Sequence, residues 1–515
     1  MTAAAAPADA VEPAAGPAAV EPSRTVAVVG TGTMGQGIAQ VALVAGHPVR
    51  LYDAVPGRAE EAALAVAGRL DRLVAKGRMT ATERDAAQKR LRPAARLAEL
   101  ADAALVVEAV VERLDVKQEL FGQLEAVVPG DCLLATNTSS LPVTAIAGAL
   151  RHPGRFLGLH FFNPAPLLPL VEVVRGHATD EAAAERARAT VTVWGKTPVS
   201  CADTPGFLVN RLARPFYAEA FRVYEERAAD PATIDAVLRE CGGFAMGPFE
   251  LTDLIGQDVN NAVTHSVYEA FFHDPKFTPS LAQGRLVQAG RLGRKTGQGW
   301  YDHAEDAPAP EPHTAQPCPA PTEVGCGPGL AGPAAVLPQL IEEAGIKVVR
   351  GGAGAGIVLP GGTELCLTDG RGPAAGARIE FDLALDYRAC ARVALAPSAT
   401  APGEDLAAAV GLFQALGKRV SVIGDVPGMI VARTVALLVD FAEDAAGREV
   451  AGREDVDTAM RLGVNYPLGP LAWGQELGAD WVAGLLRNMD HEYPGGRYAA
   501  CRSLRRRAAV KESLL

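Results

Sequence analysis

The hydrophobic positions of this chain switch between two periods, and the switching predicts an α/β fold at the N-terminal end. Residues 25–29 (Thr-Val-Ala-Val-Val) are a β-branched run that reads as a buried strand. Gly30-Thr31-Gly32-Thr33-Met34-Gly35 follows at once. Apolar residues then recur at helical spacing at Ile38, Val41, Ala42 and Ala45, until Gly46 ends the pattern. A second apolar run, 48–52, closes on Asp53. Two further buried-strand runs, 104–110 and 132–136, extend the series, and the latter enters Asn137-Thr138-Ser139-Ser140. Residues 159–162 and 170–174 form another pair of short strands, joined by a turn at Asn163-Pro164-Ala165-Pro166.

Strand, Gly-rich turn, helix, strand and acid in that order are the ingredients of a dinucleotide site. Gly30 permits the tight turn, Gly32 lets the backbone approach a pyrophosphate, and Gly35 lets helix and strand pack closely. Thr33 and Met34 begin the helix, whose N-terminal N–H groups suit phosphates. Asp53, 18 residues past Gly35, is placed to accept from ribose hydroxyls and to repel a 2′-phosphate, which favours NAD over NADP. His160 and Glu172 lie twelve residues apart on the paired runs. A carboxylate beside a histidine fixes its tautomer and stabilises its protonated form, as a general base needs. The other reading is a core histidine with an edge glutamate. The small polar residues 137–140 follow a strand, where open α/β sheets bind ligands, and they also suit a turn.

Taken together, the motifs resemble the L-3-hydroxyacyl-CoA dehydrogenases over about residues 24–302. Besides the Gly-rich turn, residues 137–140 and His160-Phe161-Phe162-Asn163-Pro164, the resemblance includes Pro205-Gly206-Phe207-Leu208-Val209-Asn210-Arg211, Gly247-Pro248-Phe249-Glu250-Leu251 and the run 294–301. The length resembles the long hydroxybutyryl- and hydroxyadipyl-CoA dehydrogenases of short-chain acid and phenylacetate breakdown. The resemblance implies NAD-dependent oxidation of a 3-hydroxyacyl-CoA, with His160 as base and Glu172 as its partner. It implies that Ser139 and Asn210 hydrogen-bond the reacting oxygen and that Asn163 shapes the pocket. It places Glu112, Lys117, Asn137 and Lys295 near the nicotinamide or the substrate. Glu112 and Lys117 also read as a solvated helix pair, and Lys295 as a surface loop residue. Arg69 and Lys76, in the helical region after Asp53, are candidates for CoA contacts. A histidine's ordinary pKa, roughly 6.5, suits proton removal near neutrality, and hydroxyl and amide donors stabilise the growing charge on the oxygen. No metal is called for.

The chain repeats itself at an offset of 222 residues. Asp203, Pro205, Gly206 and Arg211 return as Asp425, Pro427, Gly428 and Arg433; Asp235 returns as Asp457, and Gly247-Pro248 as Gly469-Pro470. The catalytic positions do not return: His160 falls on Asp382, Glu172 on Ala394 and Asn210 on Ala432. The expected organisation is a flexible tail (1–22), a Rossmann NAD-binding domain (23–201), a helical domain (202–302), a Pro-rich linker (303–330), a degenerate α/β segment (331–424) and a second helical domain (425–515). The degenerate segment carries the Gly-rich stretch 351–356, which does not keep the fingerprint. Because symmetric dimers pair the same patch twice, the two helical copies are expected to form an internal pseudo-dimer. Homo-oligomers stay open.

Composition narrows the rest. The 515 residues are 49% hydrophobic and 21% charged, as in a globular protein, and the net charge of −11 without a long basic stretch excludes a nucleic-acid binder. The small basic end at Arg502, Arg505, Arg506 and Arg507 reads as a solvated helix face. No apolar run reaches the roughly 18 residues of a membrane span. The N-terminus lacks the basic start of a signal peptide, and eight scattered cysteines suit a reducing cytoplasm. Two alternatives remain. A structural NAD-binding protein without turnover is disfavoured by the intact Ser139, His160, Glu172 and Asn210. A β-hydroxyacid dehydrogenase is disfavoured because no helical lysine replaces the His160 motif.

Overall fold

Eight short strands, most of them buried, build the N-terminal sheet. In chain order they are β1 (Thr25–Val29), β2 (Val49–Tyr52), β3 (Leu91–Ala94), β4 (Ala103–Glu108), β5 (Leu133–Thr136), β6 (Phe156–Phe161), β7 (Leu170–Arg175) and β8 (Thr197–Ala202). The computed structural model describes residues 18–512 apart from 331, 352, 353, 355 and 373–375. The strands lie in the order β3-β2-β1-β4-β5-β6-β7-β8. Helical crossovers make β1 parallel to both β2 and β4. β6 and β7 are joined by the Pro-rich turn instead, so β7 returns antiparallel, and His160 stands directly opposite Glu172 in the register. The core beneath the Gly-rich turn is aliphatic, with Val26, Val28, Ile38, Leu51, Leu105 and Val107 all inaccessible to solvent.

This sheet and its helices form one compact unit, residues 1–203, and residues 204–515 form another. The second unit repeats its own elements at the 222-residue offset. Helix Pro248–Ile255 returns as Pro470–Leu477, and Gln257–Ala270 returns as Ala479–Glu492. Asp235 accepts from the backbone N–H groups of Phe249 and Glu250, and Asp457 accepts in the same way from Leu471 and Ala472. Between the helical copies lies a seven-stranded sheet. Its last four strands, Glu364–Leu367, Arg378–Phe381, Arg392–Pro397 and Arg419–Val422, pair parallel, antiparallel and parallel. That is the pattern of β5 to β8. The α/β relic therefore keeps the far half of a Rossmann sheet.

Three expectations are corrected. The tail does not run free to residue 22, because Val20 is buried and its N–H donates to Thr190 Oγ1 at 2.9 Å; residues 1–17 lie outside the described residues. The stretch 303–330 is not a loose linker. Its Pro-rich backbone is extended and pairs with an edge strand: Ala315 donates to the Val420 carbonyl, His313 to Thr233 Oγ1, and Cys318 to Gln414 Oε1. A strand, Glu323–Cys326, also lies inside it, so the second sheet begins before residue 331. Of the Gly-rich stretch 351–356, Gly352, Ala353 and Ala355 lie outside the described residues.

Candidate active site

Each glycine of the turn meets a different demand. Gly30 has φ +95°, and a Cβ there would lie 2.5 Å from the Ala109 carbonyl oxygen. A Cβ on Gly35 would lie 1.9 Å from the Gly30 carbonyl oxygen, so strand and helix touch backbone to backbone. Gly32 faces no protein atom within 4 Å. Nothing inside the protein requires a glycine there, whereas a ligand approaching the backbone does. Helix Thr33–Val44 starts at Gly32 without a side-chain cap, which leaves its first N–H groups for an anion. Thr33 is exposed, and Met34 packs partly on the core. The turn opens on a cleft of about 600 Å³ lined by Gly30, Gly32, Asp53, Val55, Val110 and Leu120. These residues fit a dinucleotide.

Asp53 also organises the turn. Its Oδ2 accepts from Thr31 N–H at 3.0 Å and Thr31 Oγ1 at 2.7 Å, and its Oδ1 from Val55 N–H at 3.0 Å. Burial opposes its ionisation, but these bonds and the nearby Arg58 charge prevail and hold its carboxyl below the ordinary carboxylate range. A carboxylate has about four acceptor positions, so one is left for a ribose hydroxyl.

At the far end of the same strand ends, His160 Nδ1 lies 2.5 Å from Glu172 Oε2. Glu172 is fully buried and His160 nearly so. Phe162 packs against the imidazole with ring centroids 4.5 Å apart. Asn137 Oδ1 accepts from Phe161 N–H at 2.9 Å, tying the end of β5 to the residue after His160. Asn163 is exposed in the turn. Lys196, not among the site candidates read from the sequence, clamps that turn through the carbonyls of Ala165 and Leu168.

Glu112 and Lys117 are not a solvated helix pair. Lys117 is 1% exposed and lies 2.6 Å from Glu108 Oε1 and 3.2 Å from Glu112 Oε2, because a cation buried beside a strand end must be matched by carboxylates. Glu112 Oε1 gathers Thr138 Oγ1, Ser139 N–H and Ser140 N–H at 2.5, 3.0 and 3.2 Å. Burial raises the cost of its charge, but Lys117 and these donors outweigh it and lower its carboxyl below the usual range. The carboxylate thus fixes the loop that carries Ser139. Glu108 is the member sequence reading missed, although an acid closing the apolar run Leu105-Val106-Val107 was the available signal.

Asn210 and Lys295 belong to the second unit. Asn210 is half-buried, and its carbonyl accepts from Arg214 Nε. Lys295 is exposed and pairs with Asp258 at 2.5 Å. Arg69 donates to Gln36 Oε1 near the Gly-rich turn, and Lys76 is exposed at a helix end.

Residues 25–204 match the NAD-binding domain of 3-hydroxyacyl-CoA dehydrogenase, and residues 206–303 and 428–513 match its C-terminal domain twice. The chain belongs to the 3-hydroxyacyl-CoA dehydrogenase family. Residues 365–427 match the reduced Rossmann-fold domain of 3-hydroxybutyryl-CoA dehydrogenase. The chain is 44% identical to the 3-hydroxyadipyl-CoA dehydrogenase of Escherichia coli K12, over 95% of this chain and 98% of that one. A crystal structure of 3-hydroxybutyryl-CoA dehydrogenase from the same organism superposes with a TM-score of 0.87 at 42% identity, covering 96% of this chain and all of the other. The 3-hydroxybutyryl-CoA dehydrogenase of Mycobacterium tuberculosis H37Rv is 42% identical and matches 54% of this chain with 98% of its own length. The chemistry of this dehydrogenase is NAD-dependent oxidation of a 3-hydroxyacyl-CoA. Among the described residues, no helix is long and apolar enough to cross a membrane.

Proposed function

We propose that this dehydrogenase converts short-chain (S)-3-hydroxyacyl-CoA thioesters, such as 3-hydroxybutyryl- or 3-hydroxyadipyl-CoA, to their 3-oxo forms, with His160 as the base. The observation that carries this reading is the buried His160–Glu172 pair at 2.5 Å, in the sheet that also presents the Gly-rich turn. When bound at Gly30, Gly32, Thr33, Met34, Gly35 and Asp53, NAD supplies the hydride acceptor. Glu172 engages Nδ1 of His160, so Nε2 is the nitrogen that takes the 3-hydroxyl proton. Glu172, paired with the ring at Nδ1, stabilises the imidazolium that results. The resemblance assigns Ser139 and Asn210 each a hydrogen bond to the reacting oxygen as it gains carbonyl character, and assigns Asn163 the shaping of the substrate pocket. Glu112, Lys117 and Glu108 hold the Ser139 loop, with Asn137 tying it to β6. Lys295 is the cation we assign to the nicotinamide end or the substrate, and the exposed Lys76 the one we assign to CoA.

The remaining readings follow from the repeat and the cysteines. The domain boundaries proposed are those read from the sequence, except that the first domain takes in Val20, the Pro-rich stretch packs on the second unit, and the second sheet starts at Glu323. The two helical copies act as an internal pseudo-dimer. Reciprocal contacts support this: Tyr498 meets Glu219, and at equivalent positions Lys276 lies over Phe441. Pro275 and Arg497, equivalent to each other, also meet, as expected on a twofold axis. The eight free cysteines suit a cytoplasmic enzyme.

The test is His160→Gln assayed by NADH-linked reduction of acetoacetyl-CoA. Loss of a positioned base costs about a hundredfold to ten-thousandfold, while NAD binding persists. Near-wild-type turnover overturns the assignment. Rates across butyryl, hexanoyl, hexadecanoyl and adipyl 3-hydroxy thioesters test the chain-length reading, and a preference for hexadecanoyl overturns it.

A further inference from the structure

The two helical copies are built alike but do not close alike. In one half of their contact, Glu219 is fully buried and gathers Arg497 at 2.6 Å, Tyr498 at 2.9 Å and Arg433 at 3.3 Å. Glu226 accepts from Tyr493 at 2.8 Å. Glu225 accepts from Ser280 Oγ and Ala282 N–H, which places a carboxylate at the N-terminus of helix Leu281–Gln288. Three carboxylates therefore fill and neutralise this half.

At the 222-residue offset Glu219, Glu225 and Glu226 fall on Phe441, Gly447 and Arg448. The opposite half lacks these three carboxylates and has gained a guanidinium, while it carries Asp440, Asp444 and Asp274 where the twin has Ala218, Arg222 and Gly496. It has also gained bases where helix Arg502–Glu512 begins: Ser280 falls on Arg502 and Gln283 on Arg505. What remains is a cavity of about 550 Å³ lined by Arg211, Lys276, Arg448, Arg502 and Arg505, with Asp274, Asp440 and Asp444 as its acids. The acids are engaged. Asp440 holds Lys276 and the Cys501 N–H, Asp444 is shared by Arg211 and Arg448, and Asp274 accepts from Lys276 N–H. Arg502 and Arg505 form no ion pair among the described residues. Five cations against three carboxylates leave a surplus of two positive charges in a space of nucleotide size.

We propose that this cavity binds a phosphate-bearing ligand of nucleotide size. The phosphate meets the surplus positive charge, between the guanidinium groups of Arg448, Arg502 and Arg505 and the start of helix Arg502–Glu512. Arg211, 4% exposed and stacked over Phe271 at 5.1 Å, forms a fixed floor for the cavity. The site lies wholly within residues 204–515 and uses none of the residues assigned to the chemistry.

The experiment is calorimetric titration of the full-length protein in saturating NADH, which fills the dinucleotide site. Inorganic phosphate, ADP and 3′,5′-ADP are the probes. A nucleotide should bind once per chain beyond any site that survives in the variants. The pair Arg448→Glu with Arg505→Gln restores the residues of the closed twin, and both positions are exposed. This pair should weaken that binding about tenfold or more while leaving kcat unchanged. Arg502→Ala should weaken it in the same direction. Inorganic phosphate binding as tightly as the nucleotides, and lost in the same variants, assigns the site to free phosphate. Tighter nucleotide binding assigns it to a nucleotide. No binding of any probe at millimolar concentration, or affinities unchanged in the variants, overturns the proposal.

Discussion

Glu172→Gln isolates the charge of the carboxylate from its shape. Glu172 is fully buried, and glutamine fills the same volume and can still accept from His160 Nδ1. What it lacks is the attraction for an imidazolium. A hydrogen bond to a charged group contributes about 1.5–3 kcal/mol against about 0.5–1.5 for a neutral one, a difference of about 1.5 kcal/mol that sets the lower bound. Two unit charges about 4 Å apart at an effective dielectric constant of about 20 attract by about 4 kcal/mol, which sets the upper bound. The proton reaches His160 only as the reaction proceeds, so this loss falls on the transition state and not on the ground state. At 1.36 kcal/mol per tenfold, kcat should fall about tenfold to about a thousandfold. KM for NAD should not move, because Asp53 and the Gly-rich turn are untouched. The assay is steady-state oxidation of 3-hydroxybutyryl-CoA followed by NADH absorbance, with thermal unfolding to show that the variant is folded. A folded variant with wild-type kcat would refute the role given to Glu172.

Asp53→Ala removes the anchor of Thr31 and the proposed ribose acceptor; KM for NAD should rise about tenfold, equivalent to about 1.4 kcal/mol, and discrimination against NADP should narrow. Unchanged cofactor preference in initial-rate assays would place the ribose elsewhere. Burial holds the carboxyl of Asp382 up at about 6, despite N–H donors from Ile430, Val431 and Ala432. The folded state therefore binds more protons than the unfolded one between about pH 4 and about pH 6, so Asp382 makes stability fall as pH rises through that window. Asp382→Asn should lose that contribution and cost about 1–3 kcal/mol, because the amide turns a donor toward N–H groups. Urea unfolding across that pH range compares variant with wild type, since Asp235 and Glu380, held up at about 7, slope the same way. Deleting residues 331–515 uncovers Phe244 and Phe277, which pack on Trp473 and Phe441, and should cause aggregation or dimerisation in light scattering. A stable, active monomer would show that the second copy is an independent module.

The sequence by itself determined the strand–glycine–helix–acid series, the six family motifs and the 222-residue repeat. These are local or periodic features: a β-branched run, a tight turn and an apolar stripe are visible without knowing what they face. His160 and Glu172 were legible as candidates for the same reason, and pairing across β6 and β7 made them neighbours. Only the tertiary structure decided what charges do when they leave water. Lys117 was ambiguous on a helical spacing and proved buried between Glu108 and Glu112, because a cation beside a strand end cannot remain unmatched. Asp382 had no evident reason to occupy the histidine position, and the fold supplied one: its carboxylate receives the first N–H groups of helix Val431–Gly447. The Pro-rich stretch looked like a linker because its extended backbone has few local partners; its partner is the distant edge strand Arg419–Val422. The two halves of the helical contact align without a gap in sequence. Whether they close or stay open depends on which charges meet across the pair, and that is fixed by packing rather than by periodicity.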